Sequence, residues 1–375
     1  MSRFESAPRY AHGTPESLGV LLVNLGTPAA PTPAAVRRYL RQFLWDRRVV
    51  ELPRPLWWLI LNLVILTVRP SRSAAAYRKV WTERGSPLLL HCEEIASGVA
   101  KQLAARLSGN VQVELAMSYG EPSIAAALAK LYERQVRRVV LLPLYPQYSN
   151  TTSGSVFADV TVQLAQRRWI PELRFINHYH DAPAYIAALA ASIREFRDRD
   201  GAGERLLFSF HGLPRKMLED GDPYHCQCQK TARLVADALQ LKADEWAVSF
   251  QSRVGRDPWL QPYTDQLLTQ WGEKGIGDID VVCPGFSADC LETLEEIQMQ
   301  NAEFFSEAGG GKLRYIPALN ARDDHVTFLS RLIEKHCAGW PETSPDWNAA
   351  LASGELQKSV QLARAMGAEN LGVEN

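Results

Sequence analysis

Eight short apolar runs recur along the chain, and each ends at a turn that precedes a new segment. The runs are LGVLLVNLG (18–26), VQVELAMSYG (111–120), VRRVVLLPLYP (136–146), ELRFINHY (172–179), RLLFSFHG (205–212), WAVSFQS (246–252), IDVVCPGF (279–286) and KLRYIPAL (312–319). Helical patterns lie between them, at 123–135, 183–197, 226–240 and 289–305. Continuous apolar strands that alternate with helices are typical of parallel sheets covered on both faces. The pattern predicts an α/β protein with two sheets of four strands.

The chain has 375 residues, which exceeds what one ordinary hydrophobic core accommodates. We therefore expect two domains, at 18–174 and 175–337, each built on one four-stranded sheet. Residues 1–17 are predicted to be a polar N-terminal arm, and residues 338–375 a C-terminal extension with a helix at 347–366.

The charge and cysteine content exclude several classes of protein. The 41 basic and 42 acidic residues nearly cancel, so no overall field attracts nucleic acid, and no nucleic-acid partner is expected. Six cysteines are too few for a disulfide framework in a chain of this length. No charged and then apolar export signal opens the sequence, so a reducing cytoplasm is expected.

Residues 56–68, LWWLILNLVILTV, form the most apolar segment of the chain and are called the lip below. At 13 residues the lip is shorter than the ~20 residues that a membrane span requires. It is either a buried core helix or a partly exposed surface that touches a membrane or an apolar ligand. Arg69 and Arg72 follow it. They either begin a solvated helix or place two cations at the rim of an apolar pocket, where they suit ligand carboxylates.

Polar and aromatic side chains stand where the predicted strands end. In open α/β sheets, ligands bind outside the carboxyl ends of the strands, so two such edges facing each other make a cleft. His211 ends the fifth strand, directly before a glycine. It is either a structural residue that caps a turn or a group that approaches a ligand closely.

Three carboxylates follow the seventh strand. Asp289, Glu292 and Glu296 are spaced three and four residues apart, which places them on one face of a helix that is predicted to start near Ser287. Acidic residues are common in the first turn of any helix. A ridge of carboxylates directed at a histidine also suits proton transfer or the handling of a hard cation.

Two cysteines, Cys226 and Cys228, lie beside His225 and resemble a zinc motif at first sight. Structural zinc sites generally use cysteines separated by two to four residues, together with a second ligand pair. In a helix, residues two apart point in nearly opposite directions, so one metal ion does not reach both thiolates. We therefore interpret them as ordinary helix residues. Two glycine motifs that bind nucleotides, G-x-G-x-x-G and G-x-x-x-x-G-K-S/T, are both absent from the sequence.

Six stretches in order resemble the ferrochelatase family in its bacterial type, enzymes that insert ferrous iron into a porphyrin. They are LLVNLGTP (21–28), YRKVWTERGSPL (77–88), PLYPQYSNTTSGS (143–155), SFHGLPRKMLEDGDPY (209–224), QSRVGRDPWLQPYT (251–264) and CPGFSADCLETLEEI (283–297). The resemblance extends over about residues 18 to 325. It implies two Rossmann-like domains with the active-site cleft between them.

The resemblance also implies roles for individual residues. His211 and Glu292 fall on the catalytic and metal-binding histidine and glutamate, and Asp289 and Glu296 on an acidic path for protons or metal. The positions that fall on porphyrin-binding residues are Leu25, Arg69, Arg72, Tyr77, Ser252 and Trp259.

The activity implied is that of a lyase that inserts Fe²⁺ into protoporphyrin IX, the terminal step of heme biosynthesis. Iron is then a substrate, and no prosthetic group is expected. Some relatives hold an iron–sulfur cluster on cysteines of a C-terminal extension; here no cysteine follows Cys337, so no cluster is predicted. We expect a cytoplasmic protein, peripheral to the inner membrane through the lip; the sequence indicates no oligomeric state. The alternatives are a chelatase for another tetrapyrrole, such as coproporphyrin, or another metal, and a carrier of heme or porphyrin without catalysis.

Overall fold

The computed structural model describes Phe4 and residues 13–255, 257–344 and 346–368. Most of the predicted N-terminal arm, and the last seven residues of the extension, lie outside the described residues.

Eight strands, all paired in parallel, form two sheets of four. The strands are β1 Ser17–Gly26, β2 Val111–Tyr119, β3 Val136–Pro143, β4 Glu172–Phe175, β5 Arg205–His211, β6 Trp246–Gln251, β7 Ile279–Val282 and β8 Leu313–Ile316. The order is β2-β1-β3-β4 in one sheet and β6-β5-β7-β8 in the other. The two halves of the chain therefore repeat one topology. In each sheet an inner strand, β1 or β5, ends near the middle of the carboxyl edge.

Helices cover the sheets. The α-helices are α1 Pro33–Trp45, α2 Arg54–Leu59, α3 Leu66–Val80, α4 Pro87–Arg106, α5 Ile124–Glu133, α6 Ser155–Ala165, α7 Pro183–Asp200, α8 Arg215–Glu219, α9 Tyr224–Leu239, α10 Thr264–Glu273, α11 Ala302–Glu307, α12 Asp323–Cys337 and α13 Ala349–Ala365. Three wider π-helical segments accompany them: π1 Ile60–Ile65, π2 Asn150–Gly154 and π3 Glu292–Asn301. A short 3₁₀ turn lies at Pro341–Thr343.

The prediction of an α/β protein with two Rossmann-like, four-stranded parallel sheets is confirmed. All eight apolar runs are strands, although several end up to four residues earlier than the runs do. The reason is local: the runs continue into turns, as at 283–286, where proline and glycine follow the last strand residue. The first sheet ends at Phe175 and the second begins at Arg205.

One apolar core joins the two halves. Its largest cluster contains Leu18 and Val20 of β1 together with Phe208 and Phe210 of β5, all with no exposed surface. Two smaller clusters lie on the opposite faces of the sheets. Because the shared cluster is continuous, the two sheets present their edges to each other in a fixed arrangement.

The lip lies within a longer helical segment, Arg54–Val80, which comprises α2, π1 and α3. By length and composition this 27-residue segment is able to cross a membrane, although the lip alone is too short. Its inner face packs against α1 through Trp57, Leu61 and Leu66. Its outer face leaves Leu63 and Val68 63% and 71% exposed. The lip is thus a partly buried helix: one apolar face packs against the protein, and the other apolar face is exposed.

The cysteines of α9 point apart, as the helical spacing predicts. Cys226 is exposed and Cys228 is buried in the core, so one ion does not bind both. All six cysteines are free thiols.

A glycine at the end of β1 is needed for the approach of two strands. Gly26 has φ of +105°, and a Cβ there would lie 1.8 Å from the carbonyl oxygen of Tyr119. We expect Gly26→Ala to lower the free energy of unfolding by about 2 kcal/mol or more, because strain and a backbone clash add together.

Gly85→Ala provides the matched control, since Gly85 has φ of +127° with nothing within 4 Å of the added Cβ. It isolates the conformational strain, for which we expect about 1 kcal/mol. Urea unfolding of both variants measures the difference. Equal losses in the free energy of unfolding would show that the clash with Tyr119 adds nothing to the backbone strain.

Candidate active site

A cavity lies where the two sheet edges face each other. The first half of the chain lines it with Leu25, Gly26, Thr27, Tyr39, Tyr77, Val80, Ser86, Pro87 and Leu88, and the second half with Cys290, Leu291 and Glu292. The structure therefore brings three predicted site residues, Leu25, Tyr77 and Glu292, into one cavity between the halves.

The Glu292 carboxylate lies among buried tyrosines. Burial raises the pKa of Tyr77 well above its ordinary value, and the charge of Glu292 raises it further. For Tyr39, burial is again the main cause, followed by the effects of Tyr77 and Glu292. Both phenols stay protonated at physiological pH, so this wall supplies neutral hydroxyl groups beside a single carboxylate.

His211 ends β5, and its ring orientation is fixed by the main chain. Its Nδ1 lies 2.7 Å from the carbonyl oxygen of Gly212. A carbonyl only accepts hydrogen bonds, so Nδ1 carries the proton and Nε2 of the neutral ring keeps its lone pair. In its neutral form, the half-buried His211 therefore offers Nε2 as the nitrogen that can bind a metal ion or accept a proton.

Trp259 packs beside this histidine because residue 212 has no side chain. A Cβ on Gly212 would lie 3.2 Å from Cε3 of Trp259 and 2.7 Å from the carbonyl oxygen of Gln251. The half-buried indole therefore lies next to the end of β5.

Ser252 and Glu296 form a tight pair on the same side. Both the main-chain nitrogen of Ser252, at 2.7 Å, and its hydroxyl donate to the Glu296 carboxylate. Ser252 adopts a φ of +64°, an unusual conformation for serine that the two hydrogen bonds stabilise.

Burial raises the pKa of Glu296, while the Ser252 hydrogen bond and the nearby His211 lower it and the charge of Glu292 raises it again. His211, Glu292 and Glu296 are therefore close enough to act on one another electrostatically. This is the constellation that the sequence predicted, and it joins the end of β5 to π3.

The two glutamates project from an unusually wide helix. π3 starts at Glu292, and π-helices occur mostly at functional sites. Side-chain amides bond to the carbonyls of both glutamates: Gln251 Nε2 lies 2.8 Å from the Glu292 oxygen, and Asn301 Nδ2 lies 2.8 Å from the Glu296 oxygen. These bonds hold the wide backbone in place where the functional carboxylates leave it.

Asp289 does not share the helical face of Glu292 and Glu296, so that prediction was wrong. The helix begins at Leu291, and Asp289 precedes it as a buried residue. Its carboxylate accepts hydrogen bonds from the Tyr315 hydroxyl at 2.6 Å, from Asn320 Nδ2 at 2.8 Å and from Thr293 Oγ1 at 2.9 Å. The physical reason is that the chain enters the helix only after Asp289, whose buried carboxylate ties this turn to β8 and to the segment that follows it.

The two predicted propionate ligands lie on α3. Arg69 is half-buried and Arg72 is exposed, and neither is among the residues that line the cavity. Tyr77, two turns further along the same helix, does line it. The arginines therefore stand beyond the cavity, on the helix that carries the lip.

A histidine cluster that sequence reasoning missed lies on the loop between β4 and α7. One donor atom each from His178, His180 and Asp181 lies within 4.8 Å of the others. Asp181 is already paired with Lys230. The signal was visible as HYHD at 178–181.

Comparison with known proteins identifies the family of the chain. The family model described as ferrochelatase matches residues 17–337. The chain belongs to the ferrochelatase family. It is 54% identical over 368 residues to a ferrochelatase of Thioalkalivibrio sulfidiphilus, covering 98% of this chain and 100% of that protein. It is 51% identical over 345 residues to a ferrochelatase of Marinobacter nauticus, covering 92% and 93% of the two chains.

Among solved structures, SirB from Bacillus subtilis with Fe³⁺ superposes with a TM-score of 0.50 at 11% identity, covering 88% of this chain and 100% of that one. At this identity the likeness concerns the fold alone. Family membership makes the chain an enzyme, a lyase that inserts iron into a porphyrin.

Two further positions at the site were missed as functional residues. Gln251 was recognisable as a polar residue at a strand end, but nothing in the sequence indicates that its amide bonds to π3. Tyr39 lies on α1 and carries no motif, and only the fold brings it to the cavity.

The raised pKa of Glu296 predicts a specific pH dependence of stability. Because the folded protein binds this proton more tightly than the unfolded chain, the stabilisation is complete below the ordinary value of 4.5 and is lost as pH rises through the folded-state value. Wild type should lose stability relative to Glu296→Gln as pH rises from 4.5 to neutrality. Urea unfolding of both proteins measures this, with the exposed Glu303→Gln as control; a pH-independent difference would contradict it.

Proposed function

We propose that the protein inserts Fe²⁺ into protoporphyrin IX and releases two protons, forming protoheme in the terminal step of heme biosynthesis. The observation that carries this proposal is the proximity of His211 and Glu292 to Glu296, together with the place of Glu292 in the wall of a cavity between the two halves. A free-base porphyrin needs both features, because two pyrrole protons must leave as the metal enters.

His211 acts as the base for pyrrole protons and as a ligand for the incoming metal. Its Nδ1–H is held by the Gly212 carbonyl, so Nε2 is the nitrogen that meets the substrate. A positioned general base generally accelerates proton transfer by about two to four orders of magnitude.

Glu292 receives the cation or the proton on the opposite wall, and Glu296 continues the path away from the ring. Glu296 suits a relay because burial favours its protonated form while His211 favours its charged form. In our proposal Asp289 belongs to this path only at its far end, since its oxygens already accept hydrogen bonds from Tyr315, Asn320 and Thr293.

The pocket must grip a flat macrocycle and bend it, because a planar porphyrin keeps its nitrogen lone pairs in the ring plane. Leu25, Tyr77 and Trp259 supply apolar and aromatic contacts around the ring, and Ser252 contributes through the Glu296 carboxylate that it holds. Binding energy from these remote contacts supports the distortion at the reacting centre. Arg69 and Arg72, outside the cavity on α3, meet the two propionates as cations. Fe²⁺ is a substrate here, and we propose that the enzyme uses no prosthetic group and no iron–sulfur cluster.

An anaerobic insertion assay tests the proposal. Purified protein is mixed with protoporphyrin IX and Fe²⁺, or Zn²⁺ as a surrogate, and the loss of the free-base visible bands is followed. His211→Ala and Glu292→Gln should each lower kcat by about a hundredfold or more while porphyrin binding, measured by fluorescence quenching, is retained.

His178→Ala, a change at an exposed histidine, is the matched control and should turn over like wild type. A wild-type protein that binds porphyrin tightly without insertion would support a carrier instead. Insertion into coproporphyrin alone would support a chelatase for a more carboxylated ring.

We also propose that the protein is cytoplasmic and attaches to the inner-membrane surface through the lip. The support is the open outer face of the Arg54–Val80 segment, where Leu56, Trp58, Leu59, Leu63, Val64 and Val68 are each about half or more exposed. The arginines at both ends of the lip suit anionic headgroups.

Co-sedimentation with anionic phospholipid vesicles tests the attachment. Leu63→Asp together with Val68→Asp should reduce the bound fraction at least severalfold, because two apolar contacts are replaced by charges that anionic lipid repels. The same change at Leu351 and Leu362, which are 70% and 67% exposed on α13, should leave binding unaffected. Equal losses in both variants would contradict a specific role for the lip.

A further inference from the structure

An ion pair joins the helix that carries the lip to the helix that carries the catalytic glutamates. Lys79 Nζ, in the last turn of α3, lies 2.7 Å from Oε1 of Glu295 in π3, although the two residues are 216 positions apart in the chain. The Glu295 side chain is 5% exposed and that of Lys79 is 53% exposed. The pair therefore connects the two halves of the protein at the cavity that both halves line.

Both oxygens of the Glu295 carboxylate have partners in this arrangement. Its second oxygen accepts a hydrogen bond from Gln300 Nε2 at 2.7 Å, within the same π-helix. A buried carboxylate that loses its cationic partner pays a large desolvation penalty, so the conformation that keeps the Lys79 contact is strongly favoured.

Glu295 is adjacent to Glu296 and three residues after Glu292. Glu292 and Glu296 are four residues apart, so their side chains project from similar sides of the helix. The side chain of Glu295, next to Glu296, projects in another direction. Glu295 therefore meets α3 while Glu296 meets Ser252. Rotation of π3 about its axis would break one of these contacts and move both functional carboxylates.

The remaining contacts of π3 include an apolar anchor in the second half, where Ile297 packs in a core cluster with no exposed surface. Gln251 and Asn301 bond to the carbonyls of Glu292 and Glu296, at the two ends of one turn. Leu291, directly before π3, packs on the apolar cluster of the lip. Apolar packing is non-directional. Where π3 faces the first half of the chain, the ion pair with Lys79 therefore supplies the directional contact that orients the helix.

We propose that Lys79 and Glu295 are positioning residues that set the rotation of π3 and so direct Glu292 and Glu296 towards the substrate. This inference rests on the proposed function, in which those two carboxylates take part in metal insertion. Neither Lys79 nor Glu295 contacts the reacting atoms in this role, and the lip helix becomes part of the catalytic geometry.

A double-mutant cycle with Zn²⁺ insertion as the readout tests the proposal. Lys79→Met and Glu295→Gln should each lower kcat by about ten- to a hundredfold, since small misplacements of catalytic groups have effects of this size. The KM for porphyrin should stay within about twofold of wild type. The double variant should be no slower than either single variant, because the two residues act as one unit.

Lys79→Arg should recover most of kcat, because it keeps the charge. Arg78→Met is the matched control: it removes a neighbouring exposed cation of α3, which donates a 3.5 Å hydrogen bond to the Pro31 carbonyl in the first half of the chain. A raised KM with normal kcat, additive losses in the double variant, or an equal loss in Arg78→Met would each overturn the proposal.

Hydrogen exchange separates this inference from the proposed function. Amides of 292–301 should exchange at least severalfold faster in Lys79→Met than in wild type or Arg78→Met, whether or not the protein turns over. Faster exchange in a protein that inserts no metal would support the positioning of π3 and reject the chelatase activity. Unchanged exchange in an active protein would reject the positioning role alone.

Discussion

Parallel strands covered on both faces leave one place where polar groups can gather, the carboxyl edge of each sheet, and the whole site depends on this constraint. The shared core fixes the two edges against each other. The second sheet carries both predicted reacting groups, since His211 ends β5 and Glu292 follows the neighbouring strand β7. The first half closes the cavity with Leu25, Tyr39 and Tyr77, so the cavity exists only in the combined fold.

Charge inside this site is balanced locally and differently at each carboxylate. Asp289 is satisfied by neutral donors and serves the architecture. Glu296 is held by Ser252, and burial raises its pKa. Glu295 is neutralised by a lysine from the opposite half. These three acidic residues within one short segment thus differ in role because their partners differ, and the partners come from distant parts of the chain.

The sequence predicted the architecture well because strand identity is a local property. Apolar runs and turn residues located all eight strands, and a histidine at a strand end pointed to the site. The wide helix was not predictable, since residues four apart suggest one face in α- and π-helices alike. Asp289 was misplaced for the same reason: its spacing fits a helix that in fact begins at Leu291. The pairing of Lys79 with Glu295 spans 216 positions and leaves no local pattern.

The hydrogen bond from His211 to the Gly212 carbonyl has a consequence for turnover. A main-chain carbonyl only accepts this hydrogen bond and cannot take the Nδ1 proton away. A proton accepted at Nε2 must therefore leave from Nε2, on the side it entered. In the proposed mechanism a porphyrin gives up two protons, so an imidazole with this single exit would have to release the first proton before it accepts the second. The rate at which neighbouring carboxylates or water empty it then limits how quickly the second deprotonation follows the first.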